Sequence, residues 1–224
     1  MSVVGGLDLL DQTEAADLEA FLRRVDRLAA GTLVRLVTDP RQRVVTGHVR
    51  LPFGVPVSRT ARAVLTGSSD VTVRAADLAE VLARFPDGSD RVALPARRDA
   101  EWRGQLPPVA GWRRVDSVPV GALRQVVRAG IAVFRTATAQ NNGAPVRPAV
   151  ADALLDHQAL TVSHQQDTVT FPLRVCHAAW RMGFLGADDS ADCTVSVAGR
   201  WSRLAAPYGS VYRGPDEVSV LLVR

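Results

Sequence analysis

Apolar residues recur at helical spacing in two long segments of the chain. Over residues 11–29, Leu18, Phe21, Leu22, Val25 and Ala29 share one side of a 3.6-residue repeat, and Arg23, Arg24 and Arg27 take the opposite side. Asp11 followed by Glu14 has capping-box spacing, and Gly31 marks the stop. Over residues 118–139, Leu123, Val126, Val127, Val133 and Phe134 form a broad apolar face, with Arg124, Arg128 and Arg135 in a narrow arc facing away from it. A shorter helix is predicted at 75–85 from Leu78, Val81, Leu82 and Phe85, ending at Pro86-Asp87-Gly88. Further short helices are expected at 149–156 and near 173–185.

Alternation with a period of two predicts strands at 32–38, 44–51, 55–65 and 71–73. Pro56 requires the third of these to lie at a sheet edge or to begin late. Residues 160–163 and 168–171 read as a hairpin turning through 164–167, and 193–198, 201–205 and 218–223 as later strands. Helices and strands cluster instead of alternating regularly. The expected class is α+β, a mixed or antiparallel sheet with packed helices, in one compact domain or two small subdomains. Residues 95–117 combine prolines, Trp102, Trp112 and many charges, and read as an irregular connector between an N-terminal part (1–94) and a C-terminal part (118–224).

With 47% hydrophobic residues over 224 positions the chain can bury a real core, and at 5% aromatic that core must be mostly Leu, Val and Ala. No stretch approaches the ~20 apolar residues of a membrane span. The first residues lack the basic and apolar regions of a secretory leader, and Cys176 and Cys193 read as buried, reduced thiols. The expectation is a cytoplasmic protein with no membrane contact.

All 27 basic side chains are arginine, with no lysine in the chain. Within it, Schiff-base catalysis, a phosphate-loop lysine and a lysine general base are therefore excluded. The single isoleucine, Ile131, and the lone asparagine pair Asn141-Asn142 trace this bias to a GC-rich genome. The formal charge of +4 is unevenly spread: residues 1–20 hold five acids and no arginine, and residues 41–69 hold five arginines and no acid. Such asymmetry fits an anionic partner or an intramolecular match between the two segments.

Signatures of chemistry are sparse. There is no G-x-S-x-G elbow and no glycine-rich nucleotide fingerprint, so a hydrolase would need a site assembled from distant residues. His157, His164, Cys176, His177 and Cys193 have irregular spacing, and the adjacent pair Cys176-His177 would diverge by about 100° on a helix. No metal and no cofactor is expected. Asp188, Asp189 and Asp192 sit in a small-residue turn, where aspartates bond to their own backbone. A winged-helix reading of residues 147–171 fails because its recognition helix would present Asp152 and Asp156 to phosphates.

The most suggestive stretch is 199–213, which interleaves Arg200, Arg203 and Arg213 with Trp201, Tyr208 and Tyr212 and contains no acid. Guanidinium forks grip carboxylate or phosphate, and aromatic faces can stack bases. The same residues also suit a sheet edge with core aromatics and solvated arginines, and Arg113, Arg114, Arg124, Arg128 and Arg135 admit the same two readings.

The stretches LPPVAGW at 106–112 and VSVAGRWSRLAAPYGSVY at 195–212 resemble uncharacterised proteins of high-GC actinobacteria, a resemblance that implies no activity and no site. The residues support a non-enzymatic binding protein that engages another protein or its own copy. Arg200, Trp201, Arg203, Tyr208, Tyr212, Arg124 and Arg128 are its candidate anion- or partner-binding residues. Nucleic acid or a phosphate-bearing ligand is the alternative partner, and a hydrolase with a non-contiguous site the second alternative.

Overall fold

A computed structural model describes residues 5–9, 12–84, 91–141 and 144–215. The first part of the chain forms strand β1 (Gly6–Leu9), helix α1 (Gln12–Leu28), strands β2 (Leu33–Asp39), β3 (Val44–Arg50), β4 (Pro56–Thr66) and β5 (Asp70–Arg74), helix α2 (Ala75–Ala83) and strand β6 (Arg91–Ala93). The second part forms β7 (Arg113–Pro119), α3 (Val120–Gln140), α4 (Pro148–Asp156), the hairpin β8 (Gln158–His164) and β9 (Asp167–Pro172), α5 (Leu173–Arg181), and strands β10 (Asp192–Ala198), β11 (Trp201–Ala206) and β12 (Gly209–Arg213). The capping residue Asp11, the helix end at Phe85 to Gly88, Asn142, and the strand expected at 218–223 lie outside the described residues.

Ten strands join in one antiparallel sheet, in the order β5-β2-β3-β4-β12-β11-β10-β7, with β1 pairing both β4 and β6. The α+β class with an antiparallel sheet is thus the observed one. Strand β4 ties the two parts together. Pro56 to Arg62 pair with β3, while Val57 and Ser58 also pair with β12 and Ala63 to Thr66 pair with β1. Pro56 is the first residue of this interior strand, so the late start holds and the edge placement does not.

Alternate positions of the sheet point into a continuous core. Val34, Leu36, Val45, Val49, Val57, Val195, Leu204 and Val211 are all buried. Against this core α1 lays Ala15, Leu18, Phe21, Leu22 and Val25, the stripe that the sequence spacing predicts. The long helix α3 differs from expectation. Only Val120, Leu123 and Val127 are buried, and Val133 is 51% exposed. A helix of 21 residues is about 30 Å long, and its buried residues all fall in its first turns.

The irregular segment before the second part is shorter than expected, because β7 begins at Arg113 and pairs with β10. Its charged sequence hides the alternation, with Val115 and Val118 buried between polar neighbours. β12 escapes sequence reading for a similar reason: only Val211 and Tyr212 in GSVYR are buried. The charge asymmetry resolves at least partly within the molecule. Arg59 pairs with Asp17, and a Glu14 carboxylate oxygen accepts the Arg62 backbone N–H at 3.0 Å.

Candidate functional site: an arginine–aromatic cleft

The 199–213 stretch folds as the hairpin β11–β12, so neighbouring residues face opposite sides of the sheet. Leu204 and Val211, opposite each other in register, point into the core, and Arg203 and Tyr212 form the next pair on the other face. That face is covered. The Tyr212 hydroxyl and the buried Ser58 Oγ share a hydrogen bond of 2.9 Å. The Tyr212 ring meets Trp201 edge-on (centroids 6.5 Å apart) and is tilted against Trp112 (5.8 Å) and His48 (6.4 Å). Arg203 lays its guanidinium over Trp112 at 4.6 Å from the ring centroid, a cation–π contact.

The segment between β6 and β7 is strapped across this covered face. The Arg98 backbone N–H donates to Thr72 O at 2.7 Å, and a carboxylate oxygen of Asp99 accepts the Thr72 N–H at 2.7 Å. Arg35 lies 6.0 Å from the Trp102 ring centroid, and Trp112 Nε1 donates to Pro108 O at 2.8 Å. Under the strap, His48 Nδ1 is enclosed with no hydrogen-bond partner among the described residues. Burial, aided by the Arg35 charge, pushes this imidazole down to about 4, against a smaller opposing pull from Asp70.

Beside the aromatic cluster opens a cleft of about 980 Å³ to which both parts of the chain contribute. The end of β3 supplies Arg50, the β3–β4 turn Phe53, the strap Gln105, α5 Arg174, the β10–β11 turn Arg200, and the β11–β12 hairpin Trp201, Tyr212 and Arg213. Arg174 is committed to the fold: it donates to Phe53 O at 2.7 Å and to Asp156 at 2.5 Å. Arg213 gives one Nη1 hydrogen bond to Thr170 O at 2.9 Å. Arg200 is exposed and has no ion-pair or hydrogen-bond partner among the described residues. Trp201 packs against Gly214, where a Cβ would come within 2.9 Å of its ring carbons.

The structure therefore brings Arg200, Trp201, Arg203 and Tyr212 together, and three of them, all but Arg203, line the cleft. Tyr208 lies apart, 50% exposed in the β11–β12 turn, over Gly186 and 5.6 Å from the Arg59 guanidinium. Arg124 turns back to Gly186 O and sits 2.7 Å from Asp189. Arg128 is exposed on α3 and does not line the cleft. Arg50, Phe53, Gln105 and Trp112 were not legible as site residues, since turns and straps carry no periodic signal and reach the cleft only through the tertiary fold.

Other groups from the sequence reading settle locally. Asp188 accepts from the backbone and hydroxyl of Ser190, the turn arrangement expected, and these bonds hold its carboxyl below the usual range. Cys176 and Cys193 are buried, unpaired thiols, pushed up to about 12 and about 11 by burial. His157 caps the C-terminus of α4, and His177 lies between Phe53 and Trp180. Among the described residues no three or more His, Cys, Asp or Glu side chains gather as a metal site. No helix among them is long and apolar enough to cross a membrane.

This fold is shared with solved DNA polymerase sliding clamps. A protein described as a DNA polymerase III beta subunit of Eubacterium rectale superposes with a TM-score of 0.59 at 8% identity, over 95% of this chain and 64% of that one. A sliding clamp from Caulobacter crescentus gives 0.57 at 12% identity, over 94% and 65%. A sliding clamp from Bartonella birtlesii, bound to griselimycin, gives 0.55 at 10% identity, over 95% and 67%. The chain thus spans about two thirds of the length of these clamps, and identities this low establish a shared fold alone. More particularly, residues 3–104 match a domain of unknown function, DUF8010, and residues 107–217 match a second, DUF8185. No curated protein matches the chain.

Proposed function

We propose that this protein is a non-enzymatic interaction module of sliding-clamp fold, which docks a segment of another protein or of its own copy in the arginine–aromatic cleft. The observation that carries this reading is the composition of the cleft. Residues of both parts of the chain converge there, and Arg200 and part of the Arg213 fork are left uncommitted to other described residues beside the Trp201 ring. Arginine and tryptophan next to a concave, partly apolar surface are the residue types that dominate protein-recognition energetics. The clamps sharing the fold are described as DNA polymerase subunits, and a place in protein assembly is consistent with that likeness.

Nucleic acid is the weaker alternative, on two grounds. Base stacking needs open ring faces, whereas Tyr212 is 6% exposed and Trp112 already carries Arg203. On the helix layer, α1 carries Glu14, Asp17, Glu19 and Asp26 against Arg23, Arg24 and Arg27, and α4 carries Asp152 and Asp156, so the arginines of α3 are not continued as a basic track along α1 or α4. Titrating fluorescent single-stranded and duplex oligonucleotides at 50 and 200 mM salt tests this directly. A protein gripping several phosphates would lose about a thousandfold in affinity across that range. The expected result is no saturable, salt-steep binding; finding it would overturn the protein-docking reading. Light scattering separates the two protein partners, since a mass near 24.0 kDa excludes a stable pair of copies.

A further inference from the structure

We infer that residues 216–224 of this same chain dock in a second cavity, the apolar pocket between α3, α4 and β8. The inference goes beyond the docking reading of the cleft and does not depend on it. The pocket has a volume of about 480 Å³. Val126, Ala129 and Val133 of α3, Leu154 of α4 and Leu173 of α5 give it an apolar lining, and His157 and Gln158 are its polar members. Its surroundings are unlike a closed core: α4 buries none of its residues, Val133 is 51% exposed, and the buried residues of α3 all precede Ala129. An apolar concavity left open in this way marks a surface that another segment covers.

The path of the chain names the occupant. Pro215 lines the arginine–aromatic cleft, and Gln158 lines both the cleft and the pocket, so the two cavities adjoin at that residue. From Pro215 the chain continues as DEVSVLLVR, in which Val218, Val220, Leu221, Leu222 and Val223 are apolar. Nine extended residues reach about 30 Å, as far as the length of α3 itself. No other residue at which the described chain stops or resumes lines either cavity.

The chemistry of the pocket agrees with this occupant. Among the described residues no Arg, Asp or Glu lines it, so it selects by apolar burial and not by charge. A segment tethered this closely acts at an effective concentration of about millimolar, and burial of a few side chains then suffices to hold it.

The test uses the full chain with one pair of engineered cysteines, because the native thiols Cys176 and Cys193 are buried. Val133→Cys with Leu222→Cys places the pair in the pocket. Ala110→Cys with Leu222→Cys is the comparison, since Ala110 is exposed and lines another cavity together with Pro215. A segment that was tethered but not docked would reach position 110 at least as readily as position 133. Under oxidised glutathione, followed by non-reducing gels, the 133–222 pair should close as a monomeric disulfide at least tenfold faster than the 110–222 pair. Adding Val218→Asp and Val220→Asp should slow the 133–222 closure at least tenfold, because the carboxylates cannot enter an apolar lining. Circular dichroism melting confirms that the substitutions leave the rest of the fold intact. Equal rates for the two pairs, disulfide-linked dimers in place of the monomeric product, no closure at 133–222, or a rate indifferent to the aspartates overturns the inference. Each of these outcomes leaves the docking reading of the cleft standing, since that reading is tested by adducts formed at Gln105.

Discussion

Replacing Phe184 with alanine should lower the stability of the folded protein by about 3–5 kcal/mol, the range for emptying a large buried aromatic site. Phe184 is 2% exposed at the junction of three elements. Its ring stacks on Phe21 of α1 at 6.1 Å, and it presses on Gly209, where a Cβ would come within 2.5 Å of the ring. Its carbonyl accepts the Tyr208 backbone N–H at 3.0 Å. Alongside it, Arg24 of α1 donates to Met182 O at 2.8 Å, so this is a principal packing contact between the helices of the two parts. Urea unfolding of the wild type and Phe184→Ala measures the loss. A change below about 1 kcal/mol would show that the junction is not packed as described. A transition that splits in two would show that the parts unfold separately once this contact is weakened.

The second large effect is a loss of stability on mild acidification that traces to His48. Its folded-state pKa is pushed down to about 4, below the ordinary value of 6.5 that it regains on unfolding. The unfolded chain therefore takes up a proton at pH values where the folded protein does not. The stability held by the neutral imidazole is complete above about pH 6.5, falls as the pH drops, and is fully lost below about 4. Between pH 7 and pH 5 the expected loss from this residue is about 1–2 kcal/mol. Unfolding free energies of the wild type and His48→Gln at both pH values isolate it, because the carboxylates contribute to each protein alike. Equal pH dependence in the two would mean that His48 gains a proton acceptor in solution.

The sequence pattern carried the parts of the fold that are set by local repeats. The stripe of Leu18, Phe21, Leu22 and Val25 specified α1 because a helix is a periodic object that buries one side. The hairpin β8–β9 and strands β2 to β5 were legible from alternation and turn residues for the same reason. What was not legible depends on contacts far apart in the chain. Strand β12 pairs with β4 across more than a hundred residues, and nothing local in Gly209–Arg213 announces a partner at Val57 and Ser58. Half of the site was visible, since Arg200, Trp201 and Tyr212 stand out by composition. The other half, Arg50, Phe53 and Gln105, belongs to a strand end, a turn and a strap whose function is given by where they are folded. The lack of lysine proved a filter on chemistry, and the arginines divide between structural roles, such as Arg24, Arg124 and Arg174, and the open side of the cleft.

Site-specific photo-cross-linking in an extract of the native host tests the docking claim most directly. A photoreactive residue is placed at Gln105, exposed in the cleft, and in a second protein at Ala132, exposed on α3. The account requires a discrete polypeptide adduct from position 105 that diminishes in Arg200→Glu, with none from position 132. Adducts from position 132 alone, adducts to nucleic acid, or a position-105 yield indifferent to Arg200 would contradict it.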